Sequence, residues 1–296
     1  MIIEYNRKCF NETYFCGEAY PLILHDLGAS GHAGFFKGER HEFQDTVWFF
    51  PGIEHPDQLE FDENSFLYKK SIELAKAFAE DSRGDYLIGM PDSTGNADAL
   101  AHLMGSENLM MAMLDEPEAV SRALNKIQKA YERIMKESYA IVKDANDGGS
   151  CVGWLRTWAP GFHAQMQCDM SVMISKGMFH EFIVPELTKQ SEMLDYALYH
   201  FDGIEQIRHL DALLAIPEIK AIQWTQVYGQ PPCTDYIPEL KKIQAAGKNL
   251  VIGVSPEQVE PLMNELSSRG LYLITSVQTE YDAKELLKKV EKLTHE

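Results

Sequence analysis

Long hydrophobic runs are missing from this 296-residue sequence. Nothing approaches the ~18 consecutive apolar residues that a membrane-crossing helix needs. The opening residues, MIIEYNRKCFNETYF, lack the apolar core of a secretory signal. Basic residues are scarce, 27 against 45 acidic, and the net charge is −18. No basic run offers the footprint of a nucleic-acid binder, so neither nucleic acid nor a membrane is expected as a partner. Only eight of the basic residues are arginine. That disfavours polyanionic ligands, which are held best by guanidinium forks. The five cysteines, Cys9, Cys16, Cys151, Cys168 and Cys233, are odd in number and irregular in spacing, and no CxxC occurs. They exclude a disulfide framework and read as a reduced, cytoplasmic protein. GxSxG, HExxH and P-loop motifs are absent as well, which counts against serine hydrolases, zincins and P-loop enzymes.

What is present is an ordinary globular composition, 45% hydrophobic and 24% charged. Short apolar runs recur: PLILHDL (21–27), TVWFF (46–50), DYLIGM (85–90), SCVGW (150–154), YALYHFD (196–202), AIQW (221–224), NLVIGV (249–254) and LYLITS (271–276). Several are rich in Val, Ile and aromatics and are bounded by Gly, Pro or Asp, as strands are. Helical periodicity fills residues 65–80, 117–143, 176–195, 204–215, 256–267 and 281–295. Ser255-Pro256 is an N-cap followed by a first-turn proline, and Pro217 ends the segment 204–215. Eight strand candidates with intervening helices predict a single (β/α)8 TIM-type barrel domain over residues 1–296, with a doubly wound sheet as rival. Residues 28–45 and 155–175 are expected to be long loops.

Barrel active sites lie at the C-terminal ends of the strands. There the sequence places His25-Asp26, Asp92, Trp154 with Arg156 and Trp158, His200-Phe201-Asp202, and Gln223-Trp224. His200 and Asp202 alternate, so they share a strand face. They read as a metal site, as an acid/base pair, or as a histidine steadied by a structural carboxylate. Of His25 and Asp26 at most one faces the mouth. Asp92 is a site carboxylate or the cap of a helix starting near Asn96. Trp154, Trp158 and Trp224 form an aromatic wall for a flat ligand or belong to the core. The glycines of LGASGHAG lack the GxGxxG order, and Cys168 reads as a buried, inert thiol.

Three stretches carry a family resemblance: MPDSTGNADALAHLMGSENLMMAMLDEPEAV, QMQCDMSVMISKGMFHEFIVPELTKQSEMLDYALYHFDG and RHLDALLAIPEIKAIQW. Their D-x-P-E-x-V, I-S-x-x-M-F-x-E-F-x-x-P-x-L and Y-H-x-D-G patterns resemble the uroporphyrinogen decarboxylase superfamily over roughly residues 20–280. That superfamily holds porphyrinogen decarboxylases and methylcobamide:coenzyme M methyltransferases on a (β/α)8 barrel. In such a barrel the strand ends make His200, Asp202, Asp92 and His25 the catalytic candidates, and Trp154, Arg156, Trp158, Gln223 and Trp224 the candidates for substrate contacts. The resemblance implies a divalent metal such as zinc at His200 and Asp202, with a corrinoid supplied by a partner protein. The sequence departs from both branches. The first strand ends in LHDLGAS, without the decarboxylases' arginine motif. Asp202 and Gln278 stand where the methyltransferases carry thiolates, which makes any metal site harder. The superfamily's N-terminal helical region is expected to be short or absent.

Three readings follow. The first is a methyltransferase-like enzyme moving a methyl group between a small substrate and a corrinoid protein. The second is a decarboxylase acting on a porphyrinogen-like or smaller carboxylated substrate. The third is a non-catalytic binding subunit that keeps the barrel.

Overall fold

The computed structural model describes every residue except His25, Asp26, Ala29, Ser30, Asp45 and Glu296. The chain forms two compact units, Leu22–Ala197 and Met1–Pro21 with Leu198–Glu296. In the larger unit β1 (Leu22–Ile23) is followed by β2 (Arg40–Phe43), β3 (Val47–Phe50), β4 (Leu87–Ile88), β5 (Ser150–Val152), β6 (Thr157–Ala159) and β7 (His163–Met166). β8 (Tyr196–Phe201) begins there and runs on into the smaller unit. That unit adds β9 (Ile219–Trp224), β10 (Asn249–Gly253) and β11 (Leu271–Ile274).

Five strands make one sheet in the order β11-β10-β9-β8-β7. β9, β10 and β11 are parallel, with Leu250 opposite both Ile222 and Leu271. β7 meets the start of β8, where the Tyr196 N–H donates to Phe162 O at 3.1 Å. β9 continues from its end, where the Thr225 N–H donates to Phe201 O at 3.0 Å. Among the described residues β11 pairs only with β10, and β1 only with β4. The fold is therefore a mixed α/β arrangement with a five-stranded parallel sheet and many helices, and closure into a ring is not shown.

The long helix Pro117–Val142 shows why these segments are helical. Its buried residues Val120, Ala123, Leu124, Ile127, Tyr131, Ile134 and Met135 fall three or four apart and form one stripe. The Val, Leu, Ile and Met side chains of this stripe contribute about 1.5–3 kcal/mol each on burial. Pro117 opens the helix, where its missing N–H is harmless. Pro185 has the opposite effect on the segment expected at 176–195. It lacks the N–H for the i−4 bond, and the helix passes through a π turn, Phe179–Ile183, before resuming as Val184–Met193. In the smaller unit, Ser255 caps Pro256–Glu265 and its N–H donates to Gln258 Oε1 at 2.9 Å.

The loops expected at 28–45 and 155–175 are partly ordered. β2 and β3 form an antiparallel hairpin, as do β5 and β6. β7 lies inside the second of the expected loops. The segment 204–215 is a tight 3-10 turn, Ile204–His209, followed by one short helix, Leu210–Leu214. Residues Ile2–Glu12 are helical. Gly89 and Gly153 let two backbones pass closely: a Cβ on Gly89 would meet Gly153 Cα at 2.9 Å. That contact continues the parallel bridge from Gly89 to Cys151. No described helix is long and apolar enough to cross a membrane.

Candidate functional site

In the smaller unit, alternation sorts the ends of β8 and β9 onto two faces. Phe201 and Trp224 point to one of them, stacked at 5.0 Å between ring centroids, with Tyr236 tilted against Trp224 at 5.7 Å. Both are almost fully buried, so Trp224 packs in the core of this unit. The other face carries His200, Gln223 and Thr225. The Gln223 Nε2–H donates to Thr225 Oγ1 at 3.1 Å, which turns Oε1 toward the imidazole. His200 Nδ1 is hydrogen-bonded to that Oε1 and lies 3.2 Å from Thr225 Oγ1. An amide oxygen only accepts, so Nδ1 carries the proton and Nε2 keeps a lone pair.

His200 Nε2 lies 3.8 Å from Asp202 Oδ1, with the imidazole buried and the carboxylate partly exposed. That distance is too long for a hydrogen bond. It can be spanned by a divalent ion about 2.0–2.2 Å from each atom. One nitrogen and one carboxylate oxygen form a harder donor pair than histidine with thiolate, so the residues fit a divalent ion as two neighbouring ligands. Gln278, the other position of interest, is exposed beyond β11.

In the larger unit, Asp92 follows β4 and is half-buried. It does not cap the helix Asn96–Met104. Its Oδ1 accepts from Gln165 Nε2 at 2.5 Å. The cap comes from elsewhere: Asp98 Oδ2 takes the Gly95 N–H at 3.2 Å, and Glu186 Oε1 takes the Asn96 N–H at 2.9 Å. Asp98 also takes the N–H groups of Asp169 (2.9 Å) and Met170 (2.8 Å). Glu186 is buried among these groups. Desolvation, helped by the nearby Asp98 charge, holds its carboxyl well above the usual carboxylate range.

Two buried histidines here are structural. His163 donates from Nδ1 to Tyr196 O at 2.6 Å and takes the Thr157 hydroxyl at Nε2 at 2.9 Å. His32 contacts Asn96 Oδ1 at 3.0 Å, and Asn96 in turn donates to Gln128. Burial pushes each imidazole down to about 4. Burial also pushes the Cys168 thiol well up, which agrees with an inert sulfur.

The β5–β6 hairpin sets the remaining aromatic residues. Trp154 and Arg156 lie on its turn, and Arg156 adopts a left-handed backbone at φ 52° with its side chain exposed. Trp158 sits opposite Cys151, and its indole N–H donates to Asn146 O at 3.1 Å. Asn146 precedes β5, and its side-chain amide accepts the Ile88 N–H at 2.9 Å and donates to Ile88 O at 2.8 Å, tying this corner to β4. His25 lies outside the described residues. Sequence reasoning missed Thr225, Gln165 and Gln167. HAQMQ does carry a signal, because alternation puts residues 163, 165 and 167 on one face.

No protein-family model and no curated protein matches this chain. Among solved structures, the fold is similar to that of a methyltransferase from Methanosarcina mazei, with a TM-score of 0.59 and 11% sequence identity. The similarity covers 88% of this chain and 76% of that one, and at this identity it establishes likeness of fold alone.

Proposed function

We propose that this chain is a single (β/α)8 barrel enzyme of the uroporphyrinogen decarboxylase type, acting as a methyltransferase between a small substrate and a corrinoid protein. One observation carries the reading: Gln223 and Thr225 fix the His200 ring so that its Nε2 lone pair stands 3.8 Å from Asp202 Oδ1. A divalent ion held by these two atoms would supply Lewis acidity to a substrate group. Gln223 keeps the imidazole in the tautomer that can ligate. Asp202 adds negative charge on the exposed side of His200. The likeness of fold to a methyltransferase supports the same branch. His25 as a catalytic group and Trp154 and Arg156 as substrate neighbours remain proposals on the strength of their places after the expected strands.

The test is metal content of the purified protein, wild type against His200→Ala and Asp202→Ala. A near-stoichiometric divalent ion, lost in both variants, supports the reading. Equal metal content in all three proteins defeats it. A second reading, decarboxylation of a small carboxylated substrate, draws support from Asp92, a half-buried strand-end carboxylate fixed by Gln165. Release of labelled carbon dioxide that fails in Asp92→Asn would favour it.

A further inference from the structure

Asp202 supplies half of the candidate metal pair, yet among the described residues no donor stands within hydrogen-bond reach of its carboxylate. Its position is then set by the backbone on either side. Before it, Phe201 O accepts the Thr225 N–H at 3.0 Å, where β8 meets β9. After it, the Gly203 N–H turns back to the same oxygen at 3.2 Å, so Asp202 sits at the apex of a three-residue turn. Gly203 leaves that turn at φ 87°, a left-handed conformation that suits glycine. A second turn, residues 227–230, packs against this bend. The Gln230 N–H closes it onto Val227 O at 3.1 Å, with Gly229 at φ 85° in its third position.

The two turns interlock through one side chain. Gln230 Oε1 accepts the Ile204 N–H at 3.1 Å, and its Nε2 donates to Glu205 Oε2 at 2.6 Å. A Cβ on Gly203 would lie 3.1 Å from Val227 Cγ2 and 3.2 Å from the Gln230 amide, so the fit leaves little slack. The start of the same segment is pinned as well. Gln226 Nε2 donates to Gly253 O at 2.6 Å, and its Oε1 accepts the Cys233 N–H at 3.0 Å and the Gln258 amide at 2.8 Å. Thr225, just before it, places its hydroxyl 3.2 Å from His200 Nδ1. Residues 225–230 therefore touch the histidine at one end and hold the chain beyond the aspartate at the other. We propose that Gln230 is a positioning residue for Asp202: by tying Ile204 and Glu205 to the 227–230 turn it sets the 3.8 Å separation between His200 Nε2 and Asp202 Oδ1. Groups that support a pair of ligands from behind govern how well the pair holds an ion. The proposal rests on the metal reading above only for the use made of the separation, which belongs to the metal-free chain.

The test compares crystals of the chelator-treated full chain, wild type against Gln230→Leu and Gly203→Ala. The first keeps most of the side-chain bulk and removes both hydrogen bonds; the second forces the turns apart with Gln230 in place. In each, the His200–Asp202 separation should depart from the wild-type value by more than about 0.5 Å, the tolerance of a well-held site. Zn²⁺ titrated calorimetrically should bind about 10–100-fold more weakly. Imidazole ¹⁵N spectra should still place the His200 proton on Nδ1, which separates displacement of Asp202 from loss of the Gln223 contact. The double variant Glu205→Gln, Gln230→Glu reverses the amide–carboxylate pair, keeps an acceptor for the Ile204 N–H, and should restore separation and affinity. Tyr228→Ala, at the fully exposed tip of the same turn, should change neither. An unchanged separation in Gln230→Leu would overturn the proposal, as would an equal effect from Tyr228→Ala or a double variant no better than Gln230→Leu. Gly203→Ala decides in its place if Gln230→Leu does not fold. Failure of wild type to bind Zn²⁺ would defeat the metal reading instead, and the crystal comparison would still decide this one.

Discussion

Glu186→Gln offers the sharpest test of the buried electrostatics. Glu186 Oε1 receives the Asn96 N–H, and its other oxygen is buried without a partner among the described residues. Desolvation raises its folded-state pKa well above normal, whereas in the unfolded chain it ionises near 4.3. Between those two values the folded state holds one proton more than the unfolded state. Stability must then fall as pH rises, by up to about 1.4 kcal/mol per pH unit. The amide of E186Q keeps an acceptor for Asn96 and cannot ionise, so that slope disappears. His32 and His163 titrate identically in both proteins and cancel in the difference. The assay is denaturant unfolding in one-unit steps from about pH 4 to pH 8, with the midpoint and slope recorded for both proteins. The advantage of E186Q over wild type should be smallest at the acid end and widen with pH. A difference that stays constant across the range would refute the reasoning, because Glu186 would then ionise alike in both states.

Three further outcomes are expected. Acidification through the window from 6.5 to about 4 should destabilise the larger unit, because the unfolded chain binds protons there that His32 and His163 refuse. Each imidazole accounts for about 3 kcal/mol, and near-UV circular dichroism of wild type against His163→Gln should show the smaller acid loss in the variant. In the double variant Gln223→Leu, Thr225→Val, the His200 proton should leave Nδ1, visible in imidazole ¹⁵N spectra, with divalent-metal affinity falling about 10–100-fold. An unchanged tautomer would remove Gln223 as the group that orients the ring. Trp224→Ala should cost about 3–5 kcal/mol by thermal unfolding, as a fully buried tryptophan does.

Much of the sheet was legible in the sequence because its strands are apolar on both faces. YALYHFD, AIQW, NLVIGV and LYLITS fall on β8, β9, β10 and β11 with small shifts at their ends. The long amphipathic helices at 66–82 and 117–142 were legible for the matching reason, a sustained apolar stripe. β7 was not. Its residues are fully buried, yet His163, Gln165 and the following Gln167 are polar, so a pattern that scores apolar residues passes over it. TVWFF reads as a strand and is one, but it pairs in a hairpin with β2, and local sequence does not reveal the partner. At the site, alternation correctly put His200 and Asp202 on one face, and the register of β8 against β9 brought Gln223 to the same ring. Trp224, one residue on, faces the opposite way. Asp92 was expected either at the site or as a cap. The cap went to Asp98 and Glu186, and Glu186 lies ninety residues away on another helix, beyond what spacing can indicate.

The Asp98 clamp has a consequence for local opening. One carboxylate gathers the N–H groups of Gly95, Asp169 and Met170, from the start of one helix and from the turn after β7. The turn after β7 is thus tied to the start of the helix Asn96–Met104 through one buried side chain, and neither can move without giving up charged hydrogen bonds. The two should open together, with the Met170 amide exchanging slowly with solvent.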